Sequence, residues 1–240
     1  MRTERMVISN RFCGPTNSGN GGYVCGRVAA LLPGPVTVRL MAPPPLETTL
    51  HLDVSDDRVT LRQESSVIAQ ARSADPDLTP PDPPSFAAAE QATPSYPGFE
   101  HHPFPRCFVC GPQRAAGDGL RIFPGAVPGR AIVAAPWVPD ASLSVDTGWV
   151  RPEFLWAALD CTSAFAVWSI PPGKAIVLGE LCARIDHTIA PGERCVVVGW
   201  PLSVEGRKRF AASSVYSESG YPVAVGRATW IEVPAEAFSV

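Results

Sequence analysis

At 240 residues and 45% hydrophobic content, the chain can bury a substantial core, as one large domain or two small ones. Its formal charge of -3 gives no electrostatic case for nucleic acid or an anionic membrane as partner. No apolar run approaches the roughly 20 residues of a membrane helix, and the opening Met-Arg-Thr-Glu-Arg-Met leads into no apolar secretory core.

In chain order, Arg5 to Phe12 can form a short strand, and Asn17-Ser-Gly-Asn-Gly-Gly22 is a loop. Tyr23 to Leu32 reads as a short apolar helix ended by Pro33-Gly34. Strands are expected at Val36–Met41, Thr48–Val54, Arg58–Ser65 and Val67–Arg72, with a tight turn at Asp56-Asp57. Prolines then crowd the segment between Ala74 and Pro105. Lacking amide donors and steering their neighbours away from helix, they predict an extended, irregular stretch. It reads as a linker between halves at 74–106, or as an ordered loop wrapping the surface.

The second half repeats the order of the first. Strands are expected at Leu120–Phe123 and Arg130–Pro136, then a helix from Pro152 to about Trp168, whose first position suits proline. Strands follow at Ala175–Ile189, Arg194–Val204, Phe210–Ser217 and Val223–Glu232, turning at Glu205-Gly206 and Ser219-Gly220. The runs Val36 to Glu47 and Glu180 to Glu193 match closely: each is strand-like, carries an arginine in mid-run (Arg39, Arg184) and breaks at proline. Repetition at this scale marks a duplicated unit, with repeats at 1–73 and 107–240 and the site where the copies meet. A helix with so little polar face must be wrapped by its own sheet. The fold class expected is therefore α+β, a double hotdog, in which each central helix is wrapped by antiparallel sheet.

Asp160 stands in the middle of the apolar second helix, Leu155-Trp-Ala-Ala-Leu-Asp-Cys-Thr-Ser-Ala-Phe165. Aspartate is a mediocre interior helix residue, and its ionised form in an apolar site needs a partner. It is either a carboxylate on a wet face or paired with an arginine, or a general base in a water-poor cleft. Asn17, Asn20, Gly21 and Gly22 precede the first helix, where free amides can polarise a carbonyl. Asparagine there serves equally as an N-cap. Asp186-His187 suggests a base and its orienter, but neighbouring strand residues face opposite sides.

The seven cysteines are odd in number and scattered, which suits reduced thiols in a cytoplasm. Cys107-Phe-Val-Cys110 has the spacing of half a zinc knuckle, with His101 and His102 upstream. No second Cys-x-x-Cys completes four ligands, and Cys13-Gly-Pro matches Cys110-Gly-Pro as a common lead-in to both repeats. No metal is therefore expected. Cys161 and Ser163 lack a placed histidine and a nucleophile elbow, and read as core packing.

Three stretches resemble the acyl-CoA thioesterase II family, whose members are double hotdogs. Gly21-Gly-Tyr-Val-Cys-Gly-Arg-Val-Ala-Ala30 looks like its Gly-Gly-x-x-x-Gly-x-x-x-x-Ala first helix. Ala157-Ala-Leu-Asp160 looks like its second helix, and Arg184-Ile-Asp-His-Thr-Ile189 like its Ile-Asp-His strand. The resemblance implies hydrolysis of an acyl-CoA or related thioester by water that Asp160 activates, without any cofactor. It also implies that Asp186-His187 is structural. The family holds its water with a Ser/Thr where this chain has Arg184, and with a glutamine near Ala228, or in a shifted alignment Arg227 or Thr229.

On these residues Asp160 and Arg184 are the expected catalytic pair, and Asn20, Gly21, Gly22 and Tyr23 the expected substrate contacts. Arginine would pair with Asp160 and lower its pKa. Such a pair fits an altered active site, or a ligand-binding hotdog that has lost hydrolysis. A hotdog dehydratase would need a histidine–carboxylate pair that the sequence does not place. A homodimer stays open.

Overall fold

The computed structural model describes residues 2–144 and 148–238. The first copy comprises β1 (Arg2–Met6), helix α1 (Gly21–Ala29), β2 (Val36–Leu40), β3 (Leu50–Val54), β4 (Arg58–Gln63) and β5 (Ser66–Ser73). After helix α2 (Phe86–Ala92) come β6 (Gly125–Ala126), β7 (Val133–Trp137), helix α3 (Pro152–Ala166), β8 (Lys174–Ile185), β9 (Cys195–Glu205), β10 (Lys208–Tyr216) and β11 (Pro222–Pro234). These strands form one antiparallel sheet in the order β1-β3-β4-β5-β2-β8-β11-β10-β9-β7-β6.

The seam of the sheet is the pair β2–β8, in register from Val36 opposite Ala183 to Arg39 opposite Glu180. These are the two strands whose sequences repeat. Each copy thus hides an edge strand against the other, which removes an exposed ladder of unpaired amides. The fold is a double hotdog.

Both central helices are buried, α3 from Glu153 through Phe165. A helix apolar on all sides can sit only inside a sheet, and here the two helices also pack on each other. Their contact depends on missing side chains. A Cβ on Gly26 would lie 2.6 Å from the Glu153 Cα. One on Gly22 would lie 2.4 Å from the Asp160 Cβ and 2.6 Å from the Trp156 carbonyl oxygen. The glycines in the first-helix motif therefore let α1 approach α3 nearly backbone to backbone.

Some expected elements differ. Residues 10–12 form a 3-10 turn instead of continuing a strand, capped by the Ser9 hydroxyl, which accepts from the Arg11 amide. The strand expected at Leu120–Phe123 does not form. Leu120 and Ile122 instead donate their amides to the Phe108 and Val109 carbonyls, outside any strand. The proline-rich segment is not irregular throughout, because Ser85 caps the alanine-rich α2 by accepting from the Ala88 amide. Ahead of α2, this segment lies over the sheet. Cys182 donates to the Ala74 carbonyl, Arg227 to that of Asp77, and Tyr216 to that of Pro81. Among the described residues, no helix is long and apolar enough to cross a membrane.

Candidate active site

A cavity of about 250 Å³ takes its lining from both copies. The first supplies the entry to α1, through Asn20 and Gly21, and the end of β2 with the chain beyond it at residues 40–44. The second supplies Asp160, Cys161, Phe165 and Trp168 from the α3 region, Leu178 from β8 and Trp230 from β11. His102, Cys107 and Cys110 close a further side. Most of this wall is apolar, as ligand pockets usually are.

Asp160 is only 2% exposed, and its two oxygens are treated differently. Oδ2 accepts from the Gly22 amide at 2.8 Å and from Asn20 Nδ2 at 2.9 Å. Oδ1 is buried and has no hydrogen-bond partner among the described residues. Burial raises the carboxyl pKa to about 7, because the charged form is deprived of water. The Gly22 amide pulls the other way, nearby Cys107 adds to the rise, and the Asn20 amide again lowers it.

Asn20 joins two tasks in one side chain. Its Oδ1 accepts from the Tyr23 amide at 2.9 Å, which caps α1, while its Nδ2 reaches Asp160. The cap fixes the amide plane, and that plane aims the donor at the carboxylate. Fixed in the same way, the helix-start amides at Gly22 and Tyr23 are both occupied and cannot polarise a ligand. Gly21, by contrast, lines the cavity, and its amide has no partner among the described residues.

Of the other expected contacts, Tyr23 is not at the cavity. It is buried in an aromatic cluster, stacked on Phe12 with ring centroids 4.1 Å apart and beside Phe108 and Phe154. Arg184 is the main correction. Its Nε donates to both Asp186 oxygens at 2.9 and 3.1 Å, and its Nη1 to both Asp75 oxygens at 3.1 Å. Strand alternation explains the miss: Leu181 and Ala183 are buried in the core, so Arg184 faces out, as Cys182 does toward Ala74. Among the described residues, no arginine bonds the Asp160 carboxylate, whose partners are Asn20 and Gly22. Asp186 is taken up by this external pairing, and His187 is exposed. Ala228 is buried opposite Leu181 and adds no polar side chain. Arg227 reaches the Asp77 carbonyl instead.

Ser163 is fully buried, with its hydroxyl engaged on both sides. It donates to the Asp160 carbonyl at 2.7 Å and accepts from Trp230 Nε1 at 2.9 Å. Cys161 is the residue that sequence reasoning undervalued. Its Sγ lies 3.7 Å from Cys107 Sγ, and with Cys110 the three sulfurs sit within 4.8 Å of one another. Burial pushes the Cys110 thiol up, whereas hydrogen bonds from Cys110 and Cys161 hold Cys107 well below the usual thiol range. His102 Nε2 is 3.3 Å from Cys110 Sγ. The visible signal was Cys107-x-x-Cys110 with His102 upstream; nothing in the order of residues placed it against α3.

The fold and cavity define a duplicated hotdog with a buried carboxylate where the copies meet. No known family profile matches the sequence, and no curated protein matches it. Solved structures do. The chain is similar to a tesB protein of Mycobacterium avium subsp. paratuberculosis, at 13% identity and a TM-score of 0.63, over 97% of this chain and 93% of that one. It is likewise similar to the acyl-CoA thioesterase II TesB2 of Mycobacterium marinum, at 12% identity and a TM-score of 0.57, over 97% and 93%. At such identities the likeness is one of fold, and it spans both copies.

Proposed function

We propose that this chain hydrolyses an acyl-CoA or related thioester, with Asp160 as general base. The observation that carries the reading is the split of the Asp160 carboxylate. Two N–H groups pin Oδ2, while Oδ1 is left unpartnered in a residue that lines the cavity. A water reaching Oδ1 from the cavity would meet a carboxylate oxygen with no competing protein donor among the described residues. The Gly21 amide, at the positive end of α1, would polarise the thioester carbonyl and hold the oxyanion.

The steps follow from these positions. Asp160 Oδ1 takes a proton from water as its oxygen bonds to the carbonyl carbon. The Gly21 amide holds the developing oxyanion. Collapse breaks the carbon–sulfur bond, and the Asp160 proton passes to the departing thiolate, leaving a free acid and a free thiol. The absence of an Asp160–Arg184 pair favours this reading over a binding-only hotdog, since such a pair would have occupied the base. The fold shared with a protein named an acyl-CoA thioesterase II supports it further. At about 250 Å³ the cavity falls just below the usual size of ligand pockets, which run from roughly 300 Å³, and so would suit a short acyl segment.

The test is free-thiol release from acyl-CoAs of graded length, comparing wild type with Asp160→Asn. Loss of at least about 100-fold in kcat with little change in KM is expected for removal of a general base. Tight acyl-CoA binding by both proteins without turnover in either would instead identify a binding module.

A further inference from the structure

We propose that Cys107, Cys110 and Cys161 form a three-thiolate zinc site in the cavity wall, with the fourth coordination position facing the cavity. The inference goes beyond thioester hydrolysis and does not rest on it.

Distance is the first ground. Tetrahedral zinc with Zn–S bonds of about 2.3 Å separates its sulfurs by about 3.8 Å. Cys107 and Cys161 Sγ stand 3.7 Å apart, with Cys110 Sγ in the same cluster. A disulfide would require about 2.05 Å, and all three residues are free cysteines. The second ground is the turn that holds the pair Cys107 and Cys110. Gly111 donates its amide to the Cys107 carbonyl at 3.0 Å. A Cβ at Gly111 would come within 2.5 Å of the Cys107 nitrogen, so only glycine permits this tight return.

The third ground is independent of the sulfurs' spacing: N–H donors stand beside them. Asn20 Nδ2 is 3.8 Å from Cys161 Sγ and 3.9 Å from Cys107 Sγ. His102 Nδ1 accepts the Phe104 amide at 2.9 Å, so Nε2 carries the ring proton and donates it to Cys110 Sγ at 3.3 Å. Each sulfur thus faces an N–H, an arrangement suited to anionic thiolates. Three thiolates this deeply buried need a cation to compensate them. Sulfur ligands select zinc over the hard cations magnesium and calcium. Zinc entry would release the thiol protons to solvent with no change of oxidation state. Because His102 serves as donor to Cys110 and not as ligand, the protein supplies three ligands. That leaves one position for a water or a ligand atom from the cavity.

The test uses the purified full-length chain. Elemental analysis should find about one zinc per chain, released when the thiols are modified. Cobalt(II) in its place should give intense thiolate-to-cobalt charge transfer and tetrahedral d–d bands. Cys107→Ser and Cys161→Ser should lose the metal, and Cys182→Ser should keep it. His102→Ala should retain the site with affinity lowered about 10- to 100-fold, as for an outer-shell partner. Folded, reduced wild type that takes up neither zinc nor cobalt(II) would overturn the proposal, even if the cysteine variants fail to fold. So would iron in place of zinc, or unchanged metal content in a folded Cys107→Ser/Cys161→Ser double variant.

Discussion

Gly22 and Asp160 meet where the two copies join: the Gly22 amide donates to Asp160 Oδ2 at 2.8 Å, and there is no room for a side chain between them. A Cβ at Gly22 would stand 2.4 Å from the Asp160 Cβ, with the Trp156 carbonyl 2.6 Å away on the other side. Relief would require α1 and α3 to separate, because the obstacles are backbone and the root of a side chain. Gly22→Ala should therefore cost about 1–3 kcal/mol or more by overpacking, read from denaturant melts. It should also lower thioester turnover by moving the donor away from the carboxylate. A Gly22→Ala protein with wild-type stability would show that the helices do not sit this close.

Asn20 separates two contributions that a simple deletion would merge. Asn20→Ala removes the α1 cap, at about 1 kcal/mol, together with the donor to Asp160. Asn20→Asp keeps an oxygen for the Tyr23 amide but sets a second carboxylate against Asp160. It should thus retain more helix stability than Asn20→Ala and yet lose turnover to a similar degree. Parallel melts and thiol-release assays check this. Equal turnover in Asn20→Asp and wild type would mean that the amide donor does not position the base.

The architecture was legible because its signals are periodic. An apolar helix followed by a strand meander occurs twice, and the matched runs around Arg39 and Arg184 proved to be the paired seam strands β2 and β8. Asp160 was legible because a carboxylate in an apolar helix conflicts with its surroundings. Arg184 misled because the resemblance fixes its position along the strand. Which face it takes follows from Leu181 and Ala183 being the core residues of β8, and its partner Asp75 lies in the overlying proline-rich segment. The sulfur cluster was half legible. Cys107 and Cys110 carry a local spacing signal, whereas Cys161 reaches them only through the packing of α3 against a loop 54 residues away in sequence.

Arg184 should prove dispensable for chemistry and useful for tying down the overlying segment. It bridges Asp186, just past the end of β8, and Asp75 beyond β5, with all partners partly exposed. Arg184→Ala should leave thioester turnover within about twofold of wild type, as befits an exposed ion pair that contributes little to stability. Cleavage by a broad-specificity protease between Asp75 and Ser85 should quicken. The Asp77 amide, and then Arg184, hold the Asp75 carboxyl below its ordinary 3.8. Since the folded pKa is depressed, the stabilisation is fully present above 3.8 and is lost as pH falls through the lower folded value. Protease sensitivity of wild type should approach that of Arg184→Ala only at that acidity.

Trp230 should set the length of acyl chain the cavity accepts. Its ring lines the cavity, and its Nε1 donates to Ser163 Oγ at 2.9 Å, while that hydroxyl bonds the Asp160 carbonyl at 2.7 Å. The indole is therefore a wall held in place by the helix that carries the carboxylate. Trp230→Phe keeps most of the apolar surface but leaves Ser163 without its donor. It should cost about 0.5–1.5 kcal/mol in stability, the net worth of a typical hydrogen bond, with chain-length preference nearly unchanged. Trp230→Ala should add room beside Leu178 and shift the preferred acyl-CoA toward longer chains, at a stability cost of about 3–5 kcal/mol. A kcat/KM profile across chain lengths distinguishes the two variants. If Trp230→Ala kept the wild-type profile while remaining folded, the acyl chain would have to run along another wall, the Phe165–Trp168 pair stacked at 4.3 Å being the next apolar surface in the cavity.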